Sequence, residues 1–328
     1  MKFVSFATEA VYEGVSERRS LFLTSGYLLD LFRLSSAVPH TYDYLLHAFG
    51  EARPGSAEGL TPSDELTRRY WLVEGQRTVT TAGPFTLDFV QEGAPETAVR
   101  VRMAAAPRTT FGTGRWGDEL ARRVRESGHG RLDAIGTLIA RRTARDTVFA
   151  VTHEPYTAGE TPRVAGVARL AEADGAVLVR VDGAGFTDYA AVAPEDARLR
   201  ALAAGDVAIA FRGHAYVRVS ADGRATARGT LSALRIPDAT ALSLNGEAAR
   251  TAVSGRLLTF GTPPPRGPAA GAADLPDPES PLPVRVTPGV LRVFERDRRP
   301  VTLTVSNPLR QAVAGQITFD PLPGLSFE

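Results

Sequence analysis

Cysteine is absent from the sequence, and with it go disulfide staples, thiolate metal centres and cysteine nucleophiles. Lysine is nearly absent too: Lys2 stands alone among 38 basic residues. The arginines that replace it are spread along the whole chain, match coding bias, and mark no site by themselves. Charge of either sign is not in excess, with 38 basic residues against 37 acidic and a net charge of +1. No summed field therefore draws the chain to nucleic acid or to an anionic membrane, neither is expected as a partner, and any acidic ligand has to be met locally. No apolar run approaches the ~18 residues of a membrane span. The opening, MKFVSFATEAVYEGVSERRS, lacks the sustained apolar stretch of a secretory signal, which leaves the compartment open. There is no Gly-x-Ser-x-Gly elbow to support a serine hydrolase, and no alternation of strand and helix patterns to support a doubly wound nucleotide fold.

What is present is period-two alternation. In Thr97-Ala98-Val99-Arg100-Val101-Arg102-Met103 the apolar Val99, Val101 and Met103 share one face and the arginines the other, the pattern of a half-buried strand. Phe85 to Phe89, Val177 to Val181 and Ala215 to Val219 read the same way. Asp174-Gly175, Asp182-Gly183, Asp222-Gly223 and Asn245-Gly246 supply residues that tolerate the positive φ of tight hairpins, so the sheet is expected to be antiparallel. Gly112-Thr113-Gly114 and Gly183-Ala184-Gly185 read as turns, since neither has the strand-to-helix context of a phosphate loop. Helical signal is thin: one surface helix is predicted over 116–127, with Trp116, Leu120 and Val124 on one face, and a second short one from Pro194-Glu195-Asp196. Residues 262–283 hold eight prolines in twenty-two positions, too rigid and too poor in donors for a strand interior. The predicted architecture is all-β: a large antiparallel β-sandwich of the supersandwich type over 1–261, a proline-rich linker over 262–283, and part of an immunoglobulin-like β-sandwich over 284–328. The last is partial because such a domain needs about 100 residues.

Several segments carry a resemblance. Arg19-Ser20-Leu21-Phe22-Leu23, then Tyr27-Leu28-Leu29-Asp30-Leu31-Phe32-Arg33-Leu34, then His40-Thr41-Tyr42-Asp43-Tyr44-Leu45-Leu46-His47 are similar, in that order, to the opening of the C-terminal domain of heparinase II/III-like polysaccharide lyases. Phe85 to Phe89, Val99 to Met103, and Thr147 to Tyr156 with its His153-Glu154-Pro155-Tyr156 extend the likeness over about residues 15 to 260. The resemblance implies a β-sandwich packed against an incomplete α/α toroid, in cis or in trans. In that family the toroid carries the residues that abstract the C5 proton of a uronate and protonate the leaving oxygen. An acidic polysaccharide is the implied ligand and a secreted or periplasmic setting the implied location. The family's structural zinc is held by His and Asp residues expected upstream of Met1, so no cofactor, no metal ligand and no catalytic residue is carried over to this sequence.

Within that frame the candidate substrate-binding residues are His40, Tyr42, Tyr44 and His47. The two histidines, seven apart, point to opposite faces of a regular strand and cannot share a metal without a bulge. One of them would line the groove where sandwich meets toroid; the plainer alternative is that both anchor a strand edge. Tyr42, Asp43 and Tyr44 suit a sugar ring, but equally suit core and interface packing. His153-Glu154-Pro155-Tyr156 lacks the second histidine of a zinc-protease helix, and is expected to be a strand end where the proline turns the chain. The leading expectation is a non-catalytic, substrate-framing sandwich. The alternative is a stand-alone carbohydrate-binding or adhesion module using Tyr70, Trp71 and Trp116 as a stacking platform, and an autonomous lyase ranks last because few histidines are available as base and acid.

Overall fold

The computed structural model describes residues 1–55, 59–63, 66, 73–91, 97–116, 126, 135–157, 159–194, 196, 198–265, 284–287 and 302–305. The chain divides into two compact units, Met1–Pro276 and Asp277–Glu328. In the second, Val284–Thr287 pairs antiparallel with Thr302–Val305; the rest of the expected immunoglobulin-like module lies outside the described residues, as do 266–283 of the expected linker.

The first unit is all-β among its described residues apart from Glu126, which is helical. One sheet is built from β1 (Lys2–Thr8), β2 (Val15–Leu23), β3 (Leu28–Phe49), β4 (Glu51–Pro54), β5 (Thr61–Pro62), β6 (Val73–Thr81), β7 (Phe85–Gln91), β8 (Thr97–Met103), β9 (Thr109–Trp116) and β10 (Ile135–Thr157). The other contains β11 (Val164–Ala173), β12 (Ala176–Gly183), β13 (Phe186–Val192), β14 (Arg200–Ala204), β15 (Val207–Ser220), β16 (Arg224–Pro237), β17 (Ala241–Leu244), β18 (Glu247–Ala248), β19 (Ala252–Ser254) and β20 (Leu257–Phe260). Neighbours are antiparallel throughout, as expected, except that β16 and β17 run parallel.

The long strands β3 and β10 form the spine, paired from Ile135↔Phe49 to His153↔Leu28. On its other edge β10 takes β9 beside its first part and β8 beside its last. β4 continues β3 past Gly50 and pairs with β7, which pairs with β8. The order β3-β10-β8-β7-β4 therefore returns to the segment where it began, and this part of the sheet is rolled. Gly50, at the junction, has φ +104°, and a Cβ there would sit 2.3 Å from the Val90 carbonyl oxygen; only glycine meets both demands.

The alternation of β10 explains how the sheets join. Phe149 and Val151 face a cluster inside the rolled sheet with Tyr44, Phe85, Phe111 and Leu138. Val148 and Ala150, one residue out of phase, face Phe22, Leu29 and Leu31 together with Val177, Val179, Val181 and Val192 of the second sheet. Period-two geometry thus sends one strand into two cores, and the second of these is the sandwich core. A third cluster, centred on Phe211, Ile209, Leu234 and Leu258, fills the second sheet's other side.

Some local expectations are corrected. The Asp174-Gly175 and Asn245-Gly246 turns form as read, with positive φ at all four residues. The Asp182-Gly183 turn is displaced: Gly183 is the last residue of β12, opposite Phe186, and Ala184-Gly185 make the turn. Gly112 and Gly114 are not in a turn but inside β9, where a Cβ would lie 2.4 Å from Leu66 and 2.5 Å from Val73 respectively; the glycines mark close approach of another segment. Trp116 ends β9 rather than starting a helix, and apart from Glu126 the remainder of that predicted helix lies outside the described residues. No helix starts at Pro194: Asp196 is in a bend, where its carboxylate accepts the Arg198 N–H at 3.1 Å and pairs with Arg200. Such local side-chain bonding competes with helix formation.

Truncating Phe149, which is fully buried, is expected to destabilise the unit by about 3–5 kcal/mol in chemical denaturation. Leu45→Ala, on the exposed side of the same ladder, is expected to change it by no more than about 0.5 kcal/mol.

Candidate functional site

The four candidate residues are dispersed along β3. From His40 to His47 the strand advances about 23 Å, and the two histidines lie on opposite faces. His40 borders a bulge: the register jumps from His40↔Ala144 to Ser35↔Asp146, so residues 36–39 face Arg145 alone. Tyr42 braces that bulge. Its hydroxyl meets the Ser36 Oγ and donates to the Arg145 carbonyl at 3.3 Å, while the His40 ring lies 6.1 Å away.

Tyr44 enters a different environment, a knot of polar groups inside the first sheet. Asp30, 1% exposed, receives a two-pronged contact from Arg19, with Nε at 3.0 Å from Oδ1. The Tyr44 hydroxyl donates to Asp30 Oδ2 at 2.9 Å and lies 3.1 Å from His153 Nε2. With the phenolic proton committed to Asp30, His153 must be the Nε2–H tautomer, donating to the phenol oxygen. Burial, reinforced by Asp30, pushes the Tyr44 pKa well up. Burial pushes His153 down, against the opposing pull of Asp30. Burial thus favours the neutral form of each group. A base or acid needs hydrogen-bond reach to a reacting proton, and here all four groups face one another.

The same construction recurs between the sheets. Asp188, 1% exposed, accepts two hydrogen bonds from Arg218 at 2.8 and 2.7 Å, one from Tyr216 at 2.7 Å, and one from Tyr27 across the sandwich. Burial raises both tyrosines, beyond the range where a phenolate forms. A smaller version joins Arg100 to Asp88 with Tyr156 over the guanidinium. Arg142 is enclosed without a carboxylate, donating to Thr109 Oγ1, Thr147 Oγ1 and the Val148 carbonyl above the Phe149 ring.

The His153-Glu154-Pro155-Tyr156 segment does not end the strand: β10 runs through Pro155 to Thr157. The β3 ladder stops at His153, so Pro155 sits where β10 is paired with β8 alone, a position that tolerates a missing donor. Glu154 is buried and caps the next strand, accepting the N–H groups of Arg163 and Val164.

His47 occupies a cavity of about 770 Å³ at the end of the rolled sheet, lined also by Phe49, Phe89, Trp116 and Tyr156. Its Nδ1 lies 3.0 Å from Thr137 Oγ1, and its ring meets Trp116 edge-on at 4.7 Å. Burial lowers its pKa. Of the expected stacking platform only Trp116 is described; Tyr70 and Trp71 lie outside the described residues. The structure thus sets His40 beside Tyr42 at the bulge, brings Tyr44 together with Arg19, Asp30 and His153 and His47 together with Trp116, and does not unite all four candidates in one site.

Among the described residues no group of three or more His, Asp or Glu could hold a metal ion. The one close His–carboxylate approach in the knot, His153 to Asp30 at 3.9 Å, has its carboxylate already engaged by Arg19 and Tyr44.

No family model matches the chain, and no curated protein matches it. Among solved structures, a chondroitinase AC lyase determined in complex with oligosaccharides is similar over 80% of this chain and 37% of its own length, with a TM-score of 0.37 and 12% identity. The chain therefore spans little more than a third of that protein.

The buried histidines give a pH dependence with a definite sign. Burial lowers His47, His153 and His214 below the ordinary value of 6.5. Each binds fewer protons folded than unfolded, so each contributes stability that is complete above the unfolded value and lost as the pH falls through the folded one. Denaturation midpoints are expected to fall between about pH 7 and pH 5, and His153→Gln to make that slope shallower; an unchanged slope in the variant would remove His153 from the account.

Proposed function

We propose that this chain is the substrate-framing β-sandwich of a polysaccharide lyase of heparinase II/III type, acting on a uronate-containing polymer, with the elimination chemistry supplied by a helical domain in cis or in trans. One observation carries the proposal. The segments that resemble that family include parts of the adjacent strands β2, β3 and β10, and their polar residues Arg19, Asp30, Tyr44 and His153 meet in a single knot around the buried Asp30. Those residues explain the motif as architecture: Arg19 and Tyr44 both donate to Asp30, and Tyr44 also meets His153. What the sandwich lacks in reactive groups a partner domain has to provide.

The face of β1 and β2 that also carries Arg19 supports a partner. Val4, Phe6 and Leu23 are each at least half exposed. Cross-strand register sets Val4 beside Leu21, and Phe6 beside Arg19 and Phe32, on the same face. Adjacent exposed apolar side chains of this kind mark a surface that another element covers. A second reading, a stand-alone carbohydrate-binding module, is favoured by the aromatic cavity around Trp116, and the two readings part on catalysis and on ligand charge.

Incubated alone with heparan sulfate, chondroitin sulfate or alginate, the purified chain is expected to release no unsaturated uronide, followed by its ultraviolet absorbance. Product formation by the chain alone would contradict the proposal, because it would require a base and an acid within the sandwich.

A further inference from the structure

The cavity at the end of the rolled sheet has a chemistry that the lyase reading does not use. We infer that it binds one uncharged pyranose unit of a glycan, at a site separate from any uronate-processing cleft.

Its volume, about 770 Å³, falls within the ~300–1,000 Å³ of small-ligand sites. The wall is aromatic: Trp116, Tyr156, Phe49 and Phe89, with Phe49 56% exposed. The Trp116 Nε1–H is buried without an acceptor, and a buried donor left unpaired costs about 1–3 kcal/mol. A pyranose has an apolar C–H face that suits aromatic rings and a rim of hydroxyls that needs hydrogen bonds. Gln91, Thr97, Thr157 and Glu160 place an amide, two hydroxyls and a carboxylate around the same cavity.

The charge of the lining decides which sugar. In a chain with 38 Lys and Arg among 328 residues, the described lining includes neither. Glu160 is an acid, and burial pushes His47 towards its neutral form. Among the described lining residues a uronate or a sulfate would find no counter-charge and would meet the Glu160 carboxylate, whereas a neutral hexose or N-acetylhexosamine would meet hydrogen-bonding groups and rings. The rolled sheet makes this possible because β3, β7, β8, β9 and both ends of β10 deliver residues to one mouth. The inference stands apart from the lyase proposal, since it concerns binding rather than bond cleavage and a neutral rather than an acidic unit.

The test uses the full chain with Trp71→Phe, which leaves Trp116 as the sole tryptophan. Its emission is titrated with hexasaccharides of glucose, of N-acetylglucosamine and of uronate. A saturable change is expected with at least one neutral hexasaccharide, with the uronate binding at least about tenfold more weakly, a difference of about 1.4 kcal/mol. In the otherwise unaltered chain Phe49→Ala is expected to weaken the neutral ligand about tenfold and Trp116→Ala to abolish it by calorimetry, with the thermal unfolding transition retained in both. Absence of any saturable signal from the neutral sugars in a folded protein would overturn the inference. So would uronate binding as tightly as the neutral sugars, or binding that survives both substitutions. The elimination assay is independent of all these outcomes, so failure here leaves the lyase proposal standing, and the reverse holds too.

Discussion

A carboxylate withdrawn from water has to be surrounded by donors, and Asp30 shows how completely this constraint organises the protein. An isolated ionised group would be prohibitively unfavourable at 1% exposure, and removing one partner of a buried pair destabilises far more than an exposed pair stabilises. Arg19 from β2, Tyr44 from the far part of β3 and His153 from β10 all converge on it. Their convergence fixes the register of three strands at once, because a slip by one residue would carry the donors to the opposite face. Asp188 does the same across the sandwich through Tyr27, Tyr216 and Arg218. Asp88 repeats it with Arg100 and Tyr156 where β7 meets β8.

The division between these knots and the cavity bears on function. Arginine is the chain's nearly universal cation; Arg19, Arg100 and Arg218 meet aspartates with fork geometry, Arg169 meets Glu172, and Arg142 meets neutral acceptors over a ring. Openness is found at the end of the rolled sheet, where rings and neutral hydrogen-bonding groups predominate, and on β1 and β2, where Val4, Phe6 and Leu23 are exposed beside Arg19. Under the proposed reading, an exposed apolar patch and an aromatic cavity suit a scaffold that frames and holds a polymer for another domain to cleave.

The sequence disclosed those features that depend on near neighbours in the chain. Alternation located β7, β8, β12 and β15, and Asp174-Gly175, Asp222-Gly223 and Asn245-Gly246 located three of the hairpins, because strand periodicity and positive φ are local properties. Features set by distant segments were hidden. Nothing near Gly112 and Gly114 reveals that Leu66 and Val73 press against them, and nothing near Pro155 reveals that its β3 partner has ended. His40, Tyr42, Tyr44 and His47 looked like one cluster because they are close in sequence. In a strand that closeness means alternating faces and a long axial distance, so they fall into three environments. The Asp30 knot was partly legible: Arg19, Asp30, Tyr44 and His153 all belong to the recognisable segments, but only strand pairing shows that they meet.

The central claim is that Arg19 and Asp30 are coupled as a structural pair rather than held in readiness for a substrate. A double-mutant cycle on chemical unfolding, with Arg19→Met, Asp30→Asn and the two combined, measures that coupling directly. The account predicts an interaction energy of about 1–3 kcal/mol, with the double variant less destabilised than the sum of the single ones. Additive effects, or single variants as stable as the parent chain, would contradict it.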